Sequence, residues 1–453
     1  MKKISEGIIR VVFFLLIVMF FAGSASAEQW AKTTPADIPA IVDLTGVWTI
    51  SSITAGTWPD NVETDIFCTG LDGEIIHYDG TDWESMASGA VVDLNAIWGS
   101  SDDDIFAVGN NATILHYNGN LWSSQLSIGN DLNAIWGSSA SNVYAVGNGG
   151  TILRYNGIAW SAMESDTNFN LNAVWGSSAN DIFAVGEFFT ILHYDGTEWS
   201  AFETTSVQDI TLSGIWGYAS NSVFAVGESG TIAWYNGNVW TLVSSELSTN
   251  INLNAIWGAS ACNIFAAGSV LGSAAIYHFD GSEWSSQASI IPDNTQPLLG
   301  IYGSSMRNIF AVGEEASGAT FLSYIPEGDE EYPLICATSP ANNALDISPS
   351  TDIYALFSTE MDPDTITAAT FTLTTGNDTI SGTVSYEAGG FAVFTPDKDL
   401  SYATTYVATI STGVEDPFEY AIASEYTWGF TTSTILLDDS DSKGCFISSA
   451  RAE

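Results

Sequence analysis

Four histidines, His77, His116, His193 and His278, are the residues of this chain with the most varied chemistry. Imidazole is a common metal ligand and titrates near neutral pH, so four copies raise a metal centre or an acid–base site. Carboxylates are far more numerous. There are 53 Asp+Glu, and a facing pair could hydrolyse a glycoside, but with so many the sequence selects no pair. The acidic runs Asp102-Asp103-Asp104 and Asp438 to Asp441 offer oxygen ligands to calcium. Counting from Asp439, however, puts Lys443 fifth and Ala450 twelfth, which is not EF-hand spacing. They read as solvated acidic segments, with weak calcium binding as a secondary expectation. The Gly227–Gly230 segment GESG lacks the spacing of a serine nucleophile elbow. Cys68, Cys262, Cys336 and Cys445 are spaced too widely for a zinc site or a dense disulfide framework. Against all these acids stand 9 Lys+Arg, a net charge of −44. So few cations exclude a basic face for nucleic acid or an anionic membrane surface.

The elements that carry these residues come from an internal repeat. DLNAIWGSSDDDIFAVGNNATILHYNGNLW, from Asp93, recurs from Asp131 and, as LNAVWGSS, from Leu171. Its first tryptophan falls at Trp98, Trp136, Trp175, Trp216 and Trp257, with Tyr302 next, in steps of 38, 39, 41, 41 and 45 residues. An upstream unit with Trp48 makes seven. Each unit reads as four short strands: LNAIW (A), DIFAVG (B), TILHY (C) and a segment opening with a second tryptophan (D). Asp-Gly or Asn-Gly joins C to D, the residues that tolerate the positive φ of a tight hairpin. Four antiparallel strands at this period predict a propeller blade. The seventh unit has no D tryptophan, whereas Trp30 opens a D-like strand before the first A strand. The expectation is an all-β, seven-bladed β-propeller closed by its N-terminal strand. Trp58 competes with Trp48 as the A tryptophan of blade one; the match of Asp43-Leu44 and Val47-Trp48 to the repeat favours Trp48 and leaves Trp58 in an A–B insertion.

This placement disposes of the metal centre. All four histidines occupy one repeat position on strand C, shared with Arg154, Trp234 and Ser323. Strand C lies roughly 10 Å outside the innermost strand, so equivalent histidines cannot share an ion at about 2 Å. They read as packed or hydrogen-bonded side chains.

At the N-terminus, Lys2, Lys3 and Arg10 precede an apolar run from Val11 to Ala22, and Ala25-Ser26-Ala27 fits a signal-peptide cleavage site. Residues 1–27 are therefore expected to be removed. That leaves 6 Lys+Arg and 52 Asp+Glu, a charge of −46. The propeller is assigned to 28–326, and an acidic linker to 327–333. Residues 334–433 alternate β-branched and polar positions between Pro, Asn, Asp and Gly, the pattern of a β-sandwich. A flexible acidic tail, 434–453, ends the chain.

The WGSS, FAVG, ILHYDG and Trp elements resemble the propeller repeats of secreted bacterial proteins, BNR-like or photosystem-assembly-factor-like. They lack the Gly-His and Trp-Asp marks of WD40 repeats and the Asp-box of sialidases. With Arg154, Arg307 and Arg451 the only mature arginines, no cluster exists to grip a sialic-acid carboxylate. The second domain resembles the bacterial Ig-like domain of the SbsA type through Pro340, Phe357-Ser358, Met361-Asp362, Phe371, Phe394-Thr395-Pro396, Leu400, Tyr406 and Trp428-Gly429-Phe430. That resemblance implies a spacer or adhesive module with no active residue. Gly444-Cys445-Phe446-Ile447 resembles the start of a CFI-box tail.

Two places break the repeat with aromatics. Glu187-Phe188-Phe189 replaces Asn148-Gly149-Gly150 in a B–C turn, and Trp58 sits in the blade-one insertion. Trp58, Phe188 and Phe189 are therefore the candidate ligand contacts, suited to stacking on a sugar or packing on a protein. On the strand order the insertion and the turn lie at opposite faces of the disc. The reading is a non-enzymatic protein, extracellular, at the cell surface or periplasmic. It binds an envelope or extracellular protein or glycan, needs no cofactor, and uses the Ig-like domain as a spacer. The alternatives are a secreted polysaccharide hydrolase or lyase with carboxylates in the funnel, and an architectural surface component.

Overall fold

The computed structural model describes residues 29–434 except 33–42, 54–61, 127–128, 203–208, 244–246, 248, 294, 306–307, 315–318, 326–331 and 388–389. The signal segment, Trp58, Arg307, most of the linker and the tail with Asp438 to Asp441 and Cys445 lie outside the described residues. Seven four-stranded antiparallel sheets form the blades. In blade two the order is Leu94–Ser101 (A), Asp104–Gly109 (B), Thr113–Tyr117 (C) and Trp122–Leu126 (D). Blade one takes its A strand from Leu44–Ile53, so Trp48 holds the A position. Blade seven runs Leu298–Ser305, Asn308–Gly313 and Thr320–Ile325, and its fourth strand is Gln29–Lys32. Trp30 pairs with Tyr324 and is buried, so the N-terminal strand closes the ring and covers the outer edge of blade seven.

The repeated letters of the sequence are contacts between blades. Each A-strand tryptophan lies on the glycine that follows the next blade's tryptophan. A β-carbon on Gly137 would sit 2.6 Å from Trp98, and one on Gly176 2.7 Å from Trp136. Only glycine leaves room for that ring. The asparagine that follows the A-strand leucine donates to the next inner strand: Asn95 to Leu132 O at 2.8 Å, Asn133 to Leu171 O at 2.9 Å, Asn172 to Leu212 O at 2.9 Å and Asn254 to Leu298 O at 2.7 Å. The D tryptophan in turn meets the B-strand aromatic ring of the preceding blade edge-to-face, as in Trp160–Phe106 at 5.8 Å and Trp30–Phe265 at 5.9 Å. The indole N–H groups of Trp30, Trp160, Trp240 and Trp284 are buried without an oxygen or nitrogen acceptor.

The C–D hairpins differ in detail from the sequence expectation. Glycine alone takes positive φ, from +81° at Gly119 to +95° at Gly281, and the preceding Asp or Asn does not. That residue instead caps the turn. Asp195 accepts from the N–H groups of Thr197 at 2.8 Å and Glu198 at 3.0 Å. With the Thr197 hydroxyl and then these N–H groups bonded to it, the Asp195 carboxyl is held at about 2.

The second domain is a sandwich. One sheet orders Ile335–Ser339, Ile353–Phe357, Phe391–Pro396 and Gly382–Glu387. The other orders Ala344–Ile347, Tyr426–Thr432, Thr405–Ile410, Phe371–Thr375 and Asp378–Thr379. Phe357, Phe371, Phe394, Tyr406, Trp428 and Phe430 fill the space between them.

Two faces of the disc follow from the strand order. A–B turns lie beside C–D turns, as the approach of Gly119 to Asp103 and of Gly281 to Cys262 records. The B–C turns share the opposite face with the D–A connections. The Ig-like domain sits on the A–B face at blades five and six, where a Cys262–Cys336 disulfide joins it to the propeller. Ala261, Cys262 and Leu356 are buried there, and Tyr218 packs against Phe391 at 5.9 Å. The spacing of four cysteines gave no sign of this bond. The partners lie in separate domains, and only the fold brings an A–B turn to an Ig-like strand.

Candidate functional site

The histidines first. His77, His116 and His193 bond through Nε2 to Asp65, Asp104 and Asp181 at 2.8, 2.6 and 2.7 Å, and each lies over a B-strand phenylalanine, Phe67, Phe106 or Phe183. Arg154 on Asn142 and Trp234 on Ser222 make the same link in blades three and five. The position ties strand C to strand B within a blade. In blade four, burial works to raise the Asp181 carboxyl, but hydrogen bonds from His193 and Ser177 outweigh it and hold it below the usual range. His278 instead bonds the neutral Asn263 at 2.8 Å, and burial lowers it to about 4, partly opposed by Asp280.

Among the described residues no three metal-ligating side chains converge. In the Asp102–Asp104 turn, Ser101 donates to Asp103 at 2.6 Å and Ser100 to Asp104 at 2.5 Å, so two of the three carboxylates are already engaged. The inner strands LTGVWTISSI, LNAIWGSS, LNAVWGSS, LSGIWGYA, INLNAIWGAS and LLGIYGSS contain no Asp or Glu. A hydrolytic pair would therefore have to come from the rim turns. Cys68 is buried, and burial pushes its thiol far up, out of reach of reactive chemistry.

The B–C face is built from a repeated clasp. The central residue of each three-residue B–C turn has positive φ, and its N–H is taken by the Asp or Asn just before the next blade's A strand. Asp72 N–H reaches Asp93 at 3.0 Å, Asn111 reaches Asp131 at 2.8 Å, and Gly149 reaches Asn170 at 2.9 Å. Small or turn-forming residues suit this left-handed backbone. Blade four puts Phe188 there at φ +54°. Thr211 stands where its partner would be, and the link passes instead through Phe189 N–H to Ile210 O at 2.7 Å.

As in the other three-residue B–C turns, the second residue is exposed and the third buried, which separates the two phenylalanines. Phe189 is 4% exposed and belongs to the core between blades four and five, so it is corrected from ligand contact to packing residue; the turn that lifts one ring outward drives the next inward. Phe188 is 51% exposed and meets Phe169, itself 46% exposed, at 4.8 Å between ring centres. Phe169 was not among the sequence candidates. It occupies the D–A position that Asn130 holds in blade three, where Asn130 lies beside Gly149. Aligning D–A connections with B–C turns finds it: Asn130 with Gly149 becomes Phe169 with Phe188. Two polar or small neighbours have become two half-exposed rings.

Residues 329–432 match the family described as Bacterial Ig-like domain. The propeller is similar in fold to two solved structures. One, titled YCF48 bound to D1 peptide, is 15% identical, with a TM-score of 0.50, over 65% of this chain and 94% of that one. The WD40 propeller domain of Doa1 is 10% identical, with a TM-score of 0.51, over 66% of this chain and 97% of that one. No curated protein matches the sequence. The chain is thus a β-propeller followed by a bacterial Ig-like domain.

Proposed function

We propose that the chain is an exported, non-enzymatic binding protein that recognises an extracellular or envelope partner, protein or glycan, through the B–C face of its propeller. The Ig-like domain is the spacer that carries the disc. One observation supports this most: a half-exposed aromatic pair, one member of which (Phe188) has left-handed backbone, stands on the face opposite the Ig-like domain. A bulky side chain in left-handed backbone costs stability, and strain of this kind clusters at binding sites; at Phe189 core packing offsets the cost, whereas the exposed Phe188 has no such burial. A disulfide between the domains suits an oxidising compartment, in keeping with the expected signal peptide. A propeller of similar fold occurs with a peptide bound, in keeping with a polypeptide partner.

The test is a glycan array and a peptide array probed with residues 28–453, with Phe188→Asn and with Ile158→Asn. Ile158 is 88% exposed in a C–D turn on the other face. Binding lost in Phe188→Asn and kept in Ile158→Asn supports the reading. Binding that survives Phe188→Asn and disappears in Ile158→Asn overturns the choice of face.

A further inference from the structure

The occupant of the Phe169–Phe188 pair is narrowed by charge. Exposed Asp166 and Glu164 lie in the same D–A connection as Phe169, and exposed Asp209 precedes Ile210, the residue bonded to Phe189. Glu187, beside Phe188, already accepts from the Asn170 amide at 3.0 Å. Among the described residues, the B–C turns and D–A connections contain no Lys or Arg. Two rings that share about half their surface with water, in connections that carry carboxylates and, among the described residues, no cation, are complementary to an apolar side chain flanked by basic ones.

We infer that this surface docks a cationic polypeptide segment, an aromatic or large aliphatic residue between lysines or arginines, from a protein outside the cell. The inference rests on the B–C face being the binding face and adds the class of partner. The apolar anchor packs across Phe169 and Phe188, which supply contact area at low cost in side-chain freedom. Asp166 and Asp209 steer and orient the basic flanks, so they govern the salt dependence more than the residence time. A neutral glycan would use the rings but not the carboxylates. An anionic glycan would be repelled by them.

Three labelled peptides distinguish these cases: Lys-Lys-Trp-Leu-Lys-Lys, its charge reversal Glu-Glu-Trp-Leu-Glu-Glu, and Lys-Lys-Gly-Ser-Lys-Lys. The expected result is binding of the first at least tenfold tighter than either of the others, weakened by salt. Phe188→Asn should weaken it at least tenfold with no fall in melting temperature, since Asn111 holds the equivalent backbone position at φ +57°. Asp166→Asn with Asp209→Asn should flatten the salt dependence. Equal binding of the glycine–serine peptide would reduce the effect to bulk charge attraction and overturn the inference. Failure of all three peptides alongside a glycan hit lost in Phe188→Asn would overturn the polypeptide partner while leaving the face in place. Indifference of every ligand to Phe188→Asn would remove both.

Discussion

His278 shows how one neighbour sets a residue's behaviour. Its three sister histidines face aspartates, whereas Asn263 offers a hydrogen bond and no charge to hold a proton. Its folded-state value of about 4 lies below the roughly 6.5 of an unfolded histidine, so the unfolded chain takes up the proton first. This contribution to stability is complete above about pH 6.5 and is lost as the pH falls toward 4, by roughly 1–3 kcal/mol for a partly solvent-screened group. Asn263→Asp should raise the His278 midpoint in an NMR titration and reduce the acid-induced fall in melting temperature over that window. An unchanged midpoint would mean that burial alone controls the ring. None of this was legible beforehand. The sequence shows that four histidines share a position, but it does not show which partner each one meets.

At the scale of the strand and turn, the repeat made the fold legible because the letters common to all blades are the ones that pack blade on blade. Trp-Gly is the clearest case. Gly137 has no space for a methyl group against Trp98, and the ring is wedged between two sheets that cannot separate without parting the neighbouring inner strands. Gly137→Ala should therefore destabilise the propeller by about 1–3 kcal/mol, the usual penalty of overpacking a tight core, read as a lower midpoint in denaturant unfolding. Trp98→Phe in the same chain should recover part of the loss by withdrawing the ring edge. What the repeat hid was where a blade departs from it. Phe188 stood out because a turn of Asn, Gly and Gly became Glu, Phe and Phe. Phe189 looked identical in kind, and only the backbone direction through the turn buries one and exposes the other. Phe169 lies in a connection whose length and letters vary from blade to blade, so it carried no signal until its neighbour across the turn was known.

For the whole molecule, the question is what holds the Ig-like domain to the disc. Among the described residues, the buried apolar cluster at this junction consists, besides the disulfide, of Ala261, Leu356 and the partly buried Tyr218 and Phe391. Ordinary interfaces between domains, on the order of 600–1,500 Å², leave relative motion as the default unless they are large and apolar. Cys262–Cys336 joins positions 74 residues apart and ties the Ig-like domain to blade six, away from blade seven where the propeller ends. Two attachments at separate points fix an orientation, and one leaves a swivel. Replacing both cysteines with alanine should leave each domain folded but let them move. Small-angle scattering should then show a larger radius of gyration, and calorimetry should resolve two transitions where the oxidised chain shows them coupled. Ligand binding at Phe188 should be unaffected, because the two lie on opposite faces of the disc. An unchanged scattering curve would assign the fixed geometry to the small apolar patch. A loss of binding would mean that the Ig-like domain acts on the recognition face through the blades, and the spacer role would have to be abandoned.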